Sequence, residues 1–285
     1  MKKPNLESAS EVLPFSIEDI YPLAQEKLQS YQIRMDSFSD LYSSEVILAD
    51  QKEVERRKKG FEIHMTDQEK ELRKLAEVLE AIILYHGEQS NWFGSEATLT
   101  RTTDYDDLTH GTDCIMELTN PNNTSQLALA IDATFSSHVG EKLIEISNEI
   151  IKGELTKIKY YISDQAGIRG ELINVPRIIV GLDTNSIMNI SDLWLNNANE
   201  HLANHPAQFQ ILEEIMMQCE FFSRLAIAED QVKIGEIYRK MYEKIKTIYS
   251  TKKAEGNDNH WRDSSHANLK RVLPQLFPDI AKEMV

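Results

Sequence analysis

The chain lacks several features that would assign it at once to a common class of protein. Its two cysteines among 285 residues, Cys114 and Cys219, are too few and too far apart for a disulfide framework or a zinc site. No run of about 18 apolar residues occurs, which argues against a membrane-spanning helix. The P-loop, GxGxxG, GxSxG and HExxH patterns are all absent, so the usual signatures of nucleotide binding, serine hydrolysis and zinc proteolysis are missing.

Positive charge is also scarce. Lys and Arg number 31 against 46 Asp and Glu, which gives a net charge of −15 and argues against nucleic-acid binding by the whole surface. A local basic groove remains compatible with this charge. The segment Lys233–Lys253 holds seven basic residues and two acids, and Lys52–Gly60 is a second basic cluster. Each is either a solvated helix face or a contact surface for nucleic acid.

The N-terminus begins with basic residues but has no apolar segment after them, so we expect no signal peptide. Together with the scarcity of cysteine, this pattern predicts a cytoplasmic protein with no membrane association.

Local patterns divide the chain into three parts: a helical region over residues 1–65, an α/β core over 66–183 and a helical region over 184–285. Ser16 has the character of a helix N-cap, and a later helix is expected to stop at Gly60. Thr66-x-x-Glu69 is a capping-box pattern that predicts a helix ending at Gly87.

The central part alternates between strand and helix patterns. After a β-branched segment, "GTDCIMELTNPNNTSQLALAIDATFS" predicts two strands around a Pro-Asn-Asn turn. The segment "VGEKLIEISNEIIKGEL" has helical spacing, and "TKIKYYIS" and "INVPRIIVGL" predict strands. The pattern favours a mixed α/β (α+β) sheet core flanked by helices, with helical extensions at both ends.

The predicted hairpin contains three acids, Asp113, Glu117 and Asp132, in largely apolar strands. If its turn is centred between Asn122 and Asn123, Asp113 and Asp132 face each other with Cβ atoms about 5 Å apart. Carboxylates this close raise each other's pKa unless a cation lies between them, and Mg²⁺ or Mn²⁺ suits such oxygen ligands. A register slip of one residue would separate them. Both faces of the hairpin are largely apolar, so we expect it to be buried.

Other acids near the hairpin receive different interpretations. Glu80 borders the apolar arc of the preceding helix and is a candidate third ligand, whereas Glu77 is expected in water. Asp104, Asp106 and Asp107 are interpreted as loop acids. Structural alternatives remain for the pair itself: Asp113 could cap a turn, and Asp132 could bind backbone N–H groups near Val139.

The element order, with Glu80 on the first helix, "GTD" at Asp113 and "AIDAT" at Asp132, resembles the PD-(D/E)xK nuclease superfamily, the restriction-endonuclease-like fold. The resemblance covers about residues 66–165. It implies Mg²⁺- or Mn²⁺-dependent phosphodiester hydrolysis with Asp113, Asp132 and Glu80 as metal ligands. It also implies a nucleic-acid substrate, with DNA favoured over RNA and Lys233–Lys253 as the first candidate for a phosphate track.

The resemblance breaks at Thr134, where the family pattern has a lysine. Lys142 on the next helix is the candidate replacement, since this family is known to move that residue. Alternatively, Thr134 positions a water in a slower site, or catalysis is lost. The main alternative to a nuclease is therefore an inactive nuclease-like module that binds nucleic acid or protein. A helical interaction protein with the core as a spacer is a third possibility.

Overall fold

A computed structural model of the chain describes residues 15–120, 123–134, 139–163, 165, 167–255, 258, 260–276, 278 and 280. Pro121 and Asn122 of the predicted turn lie outside these ranges, as do residues 1–14 of the N-terminal region. Within the described residues, no helix combines the length and apolar character that a membrane crossing requires.

The described elements alternate between helix and strand only in the middle of the chain. The helices are α1 (Ile17–Ser30), α2 (Ser44–His64), α3 (Asp67–Gln89), α4 (Asp104–His110), α5 (Val139–Ile151), α6 (Thr184–Leu195), α7 (Asn199–Ala203), α8 (Ala207–Ala228), α9 (Val232–Ala254) and α10 (Ser264–Leu276), with a 3₁₀ turn at Met35–Phe38. The strands are β1 (Ala97–Arg101), β2 (Cys114–Asn120), β3 (Asn123–Thr134), β4 (Thr156–Ser163), β5 (Ile168–Val175) and β6 (Arg177–Gly181).

The predicted helix starts are confirmed, but two predicted ends are wrong. The Thr66 hydroxyl accepts a hydrogen bond from the Glu69 N–H at 3.3 Å, and the Glu69 carboxylate accepts one from the Thr66 N–H at 2.6 Å. Helix α2 continues through Gly60, and α3 continues two residues past Gly87. A Cβ atom at Gly87 would collide with Leu99, so this glycine permits close packing of α3 on β1 and does not end the helix.

The main sheet has the strand order β1-β2-β3-β6. Strands β1, β2 and β3 pair antiparallel, whereas β6 pairs parallel to β3 after a crossover that contains α5. Strands β4 and β5 form a separate two-stranded sheet within that crossover. The segment "INVPRIIVGL" was expected to be one strand. Pro176 divides it between the two sheets because proline has no N–H for a ladder bond.

Both faces of the β2–β3 hairpin are covered, as predicted. On one face, Cys114, Met116 and Ile131 join the main apolar core, which includes side chains of α3, α5 and α8. On the other face, Ile115 and Ala130 pack against the β4–β5 sheet. The hairpin is therefore a buried middle layer, and its acids lie at one end of that layer.

The apolar core extends through all three parts of the chain. It includes Ile20 of α1, Leu79 of α3, Ile178 of β6, Phe222 of α8 and Leu269 of α10. The helices of residues 1–65 and 184–285 therefore support the central sheet directly. The division at residues 65 and 183 stays an interpretation of sequence pattern.

Candidate active site

The register of the hairpin brings Asp113 and Asp132 together. Cys114 pairs with Ile131, and the Asp113 N–H donates to the Ile131 carbonyl at 3.0 Å, so the predicted pairing of Asp113 with Asp132 is confirmed. The predicted turn centre is wrong: Asn120 pairs with Asn123, and a register shift between Leu118 and Asn120 gives the strands the predicted pairing. The Asp113 carboxylate accepts the Ala133 N–H at 2.6 Å. Asp132 is only 3% exposed. The pKa of Asp113 is raised well above its usual range by burial and by repulsion from Asp107 and Asp132.

Lys142 projects from α5 to the same acids. Its Nζ lies 2.5 Å from Asp132 Oδ1. Burial acts to lower the pKa of Lys142, but attraction to Asp132 and Asp113 outweighs it, so the net pKa is raised and the amine stays protonated. Thr134, in the position of the family's lysine, is buried at the end of β3 opposite Gly181 of β6.

Glu80 reaches the cluster from α3 and is more deeply buried than its position on the helix predicted. Its Oε1 accepts a hydrogen bond from Arg101 Nε at 2.8 Å, and Arg101 also donates to the Leu28 carbonyl of α1 at 3.0 Å. Burial, followed by repulsion from Asp113, raises the pKa of Glu80 to about 8. The ion pair with Arg101 offsets only part of this cost.

The expectation that Glu77 lies in water is wrong. Helix α1 packs on α3, and Tyr21 donates its hydroxyl to Glu77 Oε2 at 2.6 Å. Glu77 also pairs with Arg73, whose Nε lies 2.8 Å from Glu77 Oε1. The helical arc of α3 alone did not reveal that a second helix covers its polar edge.

Asp107 is a fourth acid of the cluster, and the sequence reasoning missed it. The three acids interpreted as loop residues lie on the short helix α4, which is capped by Thr103 and ends at Gly111 with φ +60°. Burial and repulsion from Glu80 and Asp132 raise the pKa of Asp107 to about 7. The pattern Thr103-x-x-Asp106 followed by Gly111 is a start and stop signal that could have identified this helix.

Asp106, next in sequence, is also buried but is fully engaged by the protein. Its carboxylate accepts the backbone N–H groups of Lys159 at 2.7 Å and Tyr160 at 3.1 Å. The Thr103 hydroxyl donates to it at 2.9 Å. Asp106 therefore anchors α4 to β4, and Asp107 is left to face the other acids.

Arg177 fixes the far end of α4 beside Asp132. Its guanidinium donates to the His110 carbonyl at 3.0 Å and to Glu149 of α5 at 2.9 Å. A Cβ atom at Gly111 would lie 2.5 Å from Arg177 Nη1 and 3.7 Å from Asp132 Oδ2, so the backbone approaches both side chains closely here. The spacing of Asp107, Asp113 and Asp132 thus depends on α4, β2, β3 and β6 together.

Two adjoining cavities give access to the acids. A cavity of about 190 Å³ is lined by Glu80, Asp107, Asp113 and Ala133. A cleft of about 590 Å³ shares several of its wall residues and extends along α1. Glu80, Asp107 and Asp113 are therefore accessible from one side, whereas Asp132 and Lys142 line neither cavity.

The cluster fits a divalent cation by charge and donor type. The four carboxylates face Lys142, Arg101 and, at Asp132, Arg177, and their raised pKa values mean that the cluster retains protons that a cation would displace. Carboxylate oxygens are the ligands that Mg²⁺ and Mn²⁺ prefer. Among the residues that the structure describes, however, no three acids, histidines or cysteines form a ready-made ligand set. Arg101, Lys142 and the Ala133 N–H hold the carboxylates, and a bound cation would have to compete with them.

The basic segment Lys233–Lys253 lies on α9 and is partly engaged with the protein itself. Lys244 pairs with Glu96, and the buried Lys252 donates to Gln208 at 2.8 Å. Lys246 lies over the Tyr242 ring at 5.4 Å. A phosphate track on this helix stays a prediction.

Comparisons with protein-family models, with curated proteins and with solved structures found no match to this chain. The carboxylate cluster, its lysine and its access route therefore carry the functional inference.

Proposed function

We propose that the chain is a metal-dependent nuclease with a restriction-endonuclease-like core. The observation that carries the proposal is the contact of Lys142 with Asp132 inside a cluster of four acids. It supplies the cation that Thr134 cannot provide, from the next helix. The order α3-β1-α4-β2-β3-α5-β4-β5-β6, with β6 parallel to β3 in one sheet, supports the same proposal.

Asp113, Asp132 and Glu80 would hold Mg²⁺ or Mn²⁺, with Asp107 as a further oxygen donor. The bound ion would lower the pKa of a water and stabilise negative charge on the phosphate. Lys142 stays protonated because its pKa is raised, so it acts through its charge and its N–H donors. It would orient the attacking water and stabilise the developing charge, and it would not serve as the base.

Arg101 and Arg177 act by positioning. Arg101 connects Glu80 to the end of α1, and Arg177 connects the end of α4 to α5. Both restrict the acids to one arrangement before substrate arrives, and catalysis by fixed charges depends on such preorganisation.

The test is hydrolysis of single-stranded DNA, duplex DNA and RNA by purified protein with Mg²⁺ or Mn²⁺. We expect cleavage that is lost in Asp132→Asn and in Lys142→Met. Cleavage should persist in Asp67→Asn, which removes a fully exposed carboxylate. Equal cleavage by the wild type and Asp132→Asn would contradict the proposal, as would no cleavage of any substrate with either ion.

An inactive nuclease-like module is the second candidate function. It is favoured by the partners that each proposed ligand already has: Arg101 for Glu80, the Ala133 N–H for Asp113 and Lys142 for Asp132. Calorimetric titration with Mn²⁺ separates the two functions. If the chain is a nuclease, the wild type should bind Mn²⁺ and Asp132→Asn should not. If it is an inactive module, neither should bind the ion.

A further inference from the structure

An aromatic side chain stands at the opening to the acids. Phe61 on the last turn of α2 is 51% exposed, although large apolar side chains are usually covered when a core is near. It lines the 190 Å³ cavity together with Glu80 and Asp113. Its ring is therefore available to a ligand that reaches the cluster.

Two basic side chains line both cavities beside Phe61. Lys58 Nζ lies 2.7 Å from Asp104 Oδ2, and Arg73 Nε lies 2.8 Å from Glu77 Oε1. The Lys58 and Arg73 side chains are 44% and 42% exposed. The two carboxylates are less exposed than the cations, at 24% for Asp104 and 20% for Glu77, so a phosphate would share each cation with its present partner.

The size and lining of the cleft restrict its occupant. A volume of about 590 Å³ is that of a small-ligand pocket, which accommodates a nucleotide unit or two. In an intact duplex the base faces are covered by stacking, so no base is free to stack on Phe61. Gln25 and Gln29 of α1 and Gln32 just after it line one wall of the cleft. Gln25 already donates to Glu77, and the amides of Gln29 and Gln32 suit the hydrogen-bonding edges of unpaired bases.

We propose that this cleft seats a single-stranded segment of nucleic acid. One base stacks on Phe61, and Lys58 and Arg73 contact the flanking phosphates. The combination of an aromatic platform with basic side chains is how proteins bind single strands without reading their sequence. The inference rests on the proposed function for what happens at the acids, but the binding itself is measured without cleavage.

The experiment measures fluorescence anisotropy of one labelled DNA oligonucleotide, single-stranded and as a blunt duplex, with Ca²⁺ replacing Mg²⁺. We expect tighter binding of the single strand. Phe61→Ala should weaken it about tenfold, Phe61→Trp should restore it, and Lys58→Gln with Arg73→Gln should weaken it and reduce its salt dependence. Ile227→Ala, at an exposed apolar residue of α8, is the matched control and should change nothing.

Three results would overturn the inference: duplex binding as tight as single-strand binding, no binding of either form, or no effect of Phe61→Ala. Loss of binding in Arg239→Gln with Lys240→Gln, at exposed residues of α9, would place the contact on α9 and would also overturn it. Failure of the proposed function gives a different pattern. A single strand bound through Phe61 but never cleaved with Mg²⁺ or Mn²⁺ supports the inference and contradicts the nuclease.

Discussion

Asp106 and Asp107 are adjacent in sequence, and both lie on α4, but their surroundings are opposite. Asp106 accepts two backbone N–H groups and one hydroxyl, all from α4 and β4. Asp107 faces Glu80 and Asp132, and its pKa is raised to about 7. One aspartate is satisfied by donors and the other is repelled by its neighbours.

The same contrast separates two larger regions of the molecule. Near α10, Asp183 accepts the Ser186 N–H at 2.9 Å and the Ser264 hydroxyl at 2.8 Å. Burial acts to raise the pKa of Asp183, but these bonds outweigh it and the pKa is lowered. Acids with a structural role are thus surrounded by donors. The acids at the end of the hairpin have donors too, but they also face one another, which reduces stability.

The largest expected effect is the loss of cleavage when Asp132, one of the acids that repel one another, is replaced. Asp132→Asn should reduce cleavage by about a thousandfold or more, since a metal supplies several kcal/mol of transition-state stabilisation and about 4 kcal/mol corresponds to three orders of magnitude. Initial rates at saturating Mn²⁺ measure it. A cleavage rate within tenfold of the wild-type rate would contradict a role for Asp132 in catalysis.

The second effect is a change in the pH dependence of stability. The pKa of Glu80 is about 8 in the fold against 4.5 for the ordinary group, so the unfolded chain releases this proton first as pH rises. Wild-type stability should fall between about pH 4.5 and 8. Glu80→Gln should flatten that decline, because glutamine does not titrate. Urea unfolding at a series of pH values is the measurement, and superimposable profiles would contradict it.

The third effect tests the adjacent pair directly. Asp106→Ala should reduce the free energy of unfolding by about 3 kcal/mol, because two buried N–H groups lose their charged acceptor. Asp107→Asn should leave stability unchanged or raise it, because it removes a repelled charge. Urea unfolding of both variants at pH 7.5 gives the comparison. Equal decreases in the free energy of unfolding of the two variants would contradict the difference between Asp106 and Asp107.

The smallest effect is stabilisation by the metal. At a hundredfold excess over its Kd, Mg²⁺ should stabilise the wild type by about 2.7 kcal/mol, which raises the melting temperature by several degrees. Asp113→Asn should abolish the increase, whereas Asp106→Ala should retain it despite its lower starting temperature. A Mg²⁺ shift that persists in Asp113→Asn would place the ion elsewhere.

The sequence predicted those parts of the site that local pattern controls. The register predicted from the sequence pairs Asp113 with Asp132 correctly, although the turn lies one residue earlier than predicted and an irregularity between Leu118 and Asn120 compensates for it. The arc of α3 placed Glu80 at the core, although it did not show Arg101 as its partner. Proximity in sequence to Asp132 was sufficient to identify Lys142 as the lysine that contacts it.

What the sequence did not predict depends on contacts between distant elements. Asp107 faces the cluster because Asp106 is bound by β4, some 50 residues later in the chain. Glu77 is covered because α1 packs on α3. The periodicity of one segment cannot predict such contacts. In each case a second element, β4 for α4 and α1 for α3, binds or covers the side chain.

The length of helix α4 has a further consequence. Its residues are rotated by about 100° from one to the next. Inserting one residue between Thr103 and Asp106 would therefore move Asp106 to the position that now faces the cavity. Deleting one residue there would move Asp107 to the position that now faces β4. In natural or engineered variants of this chain, the length of this seven-residue helix should be held more strictly than the identity of its exposed side chains.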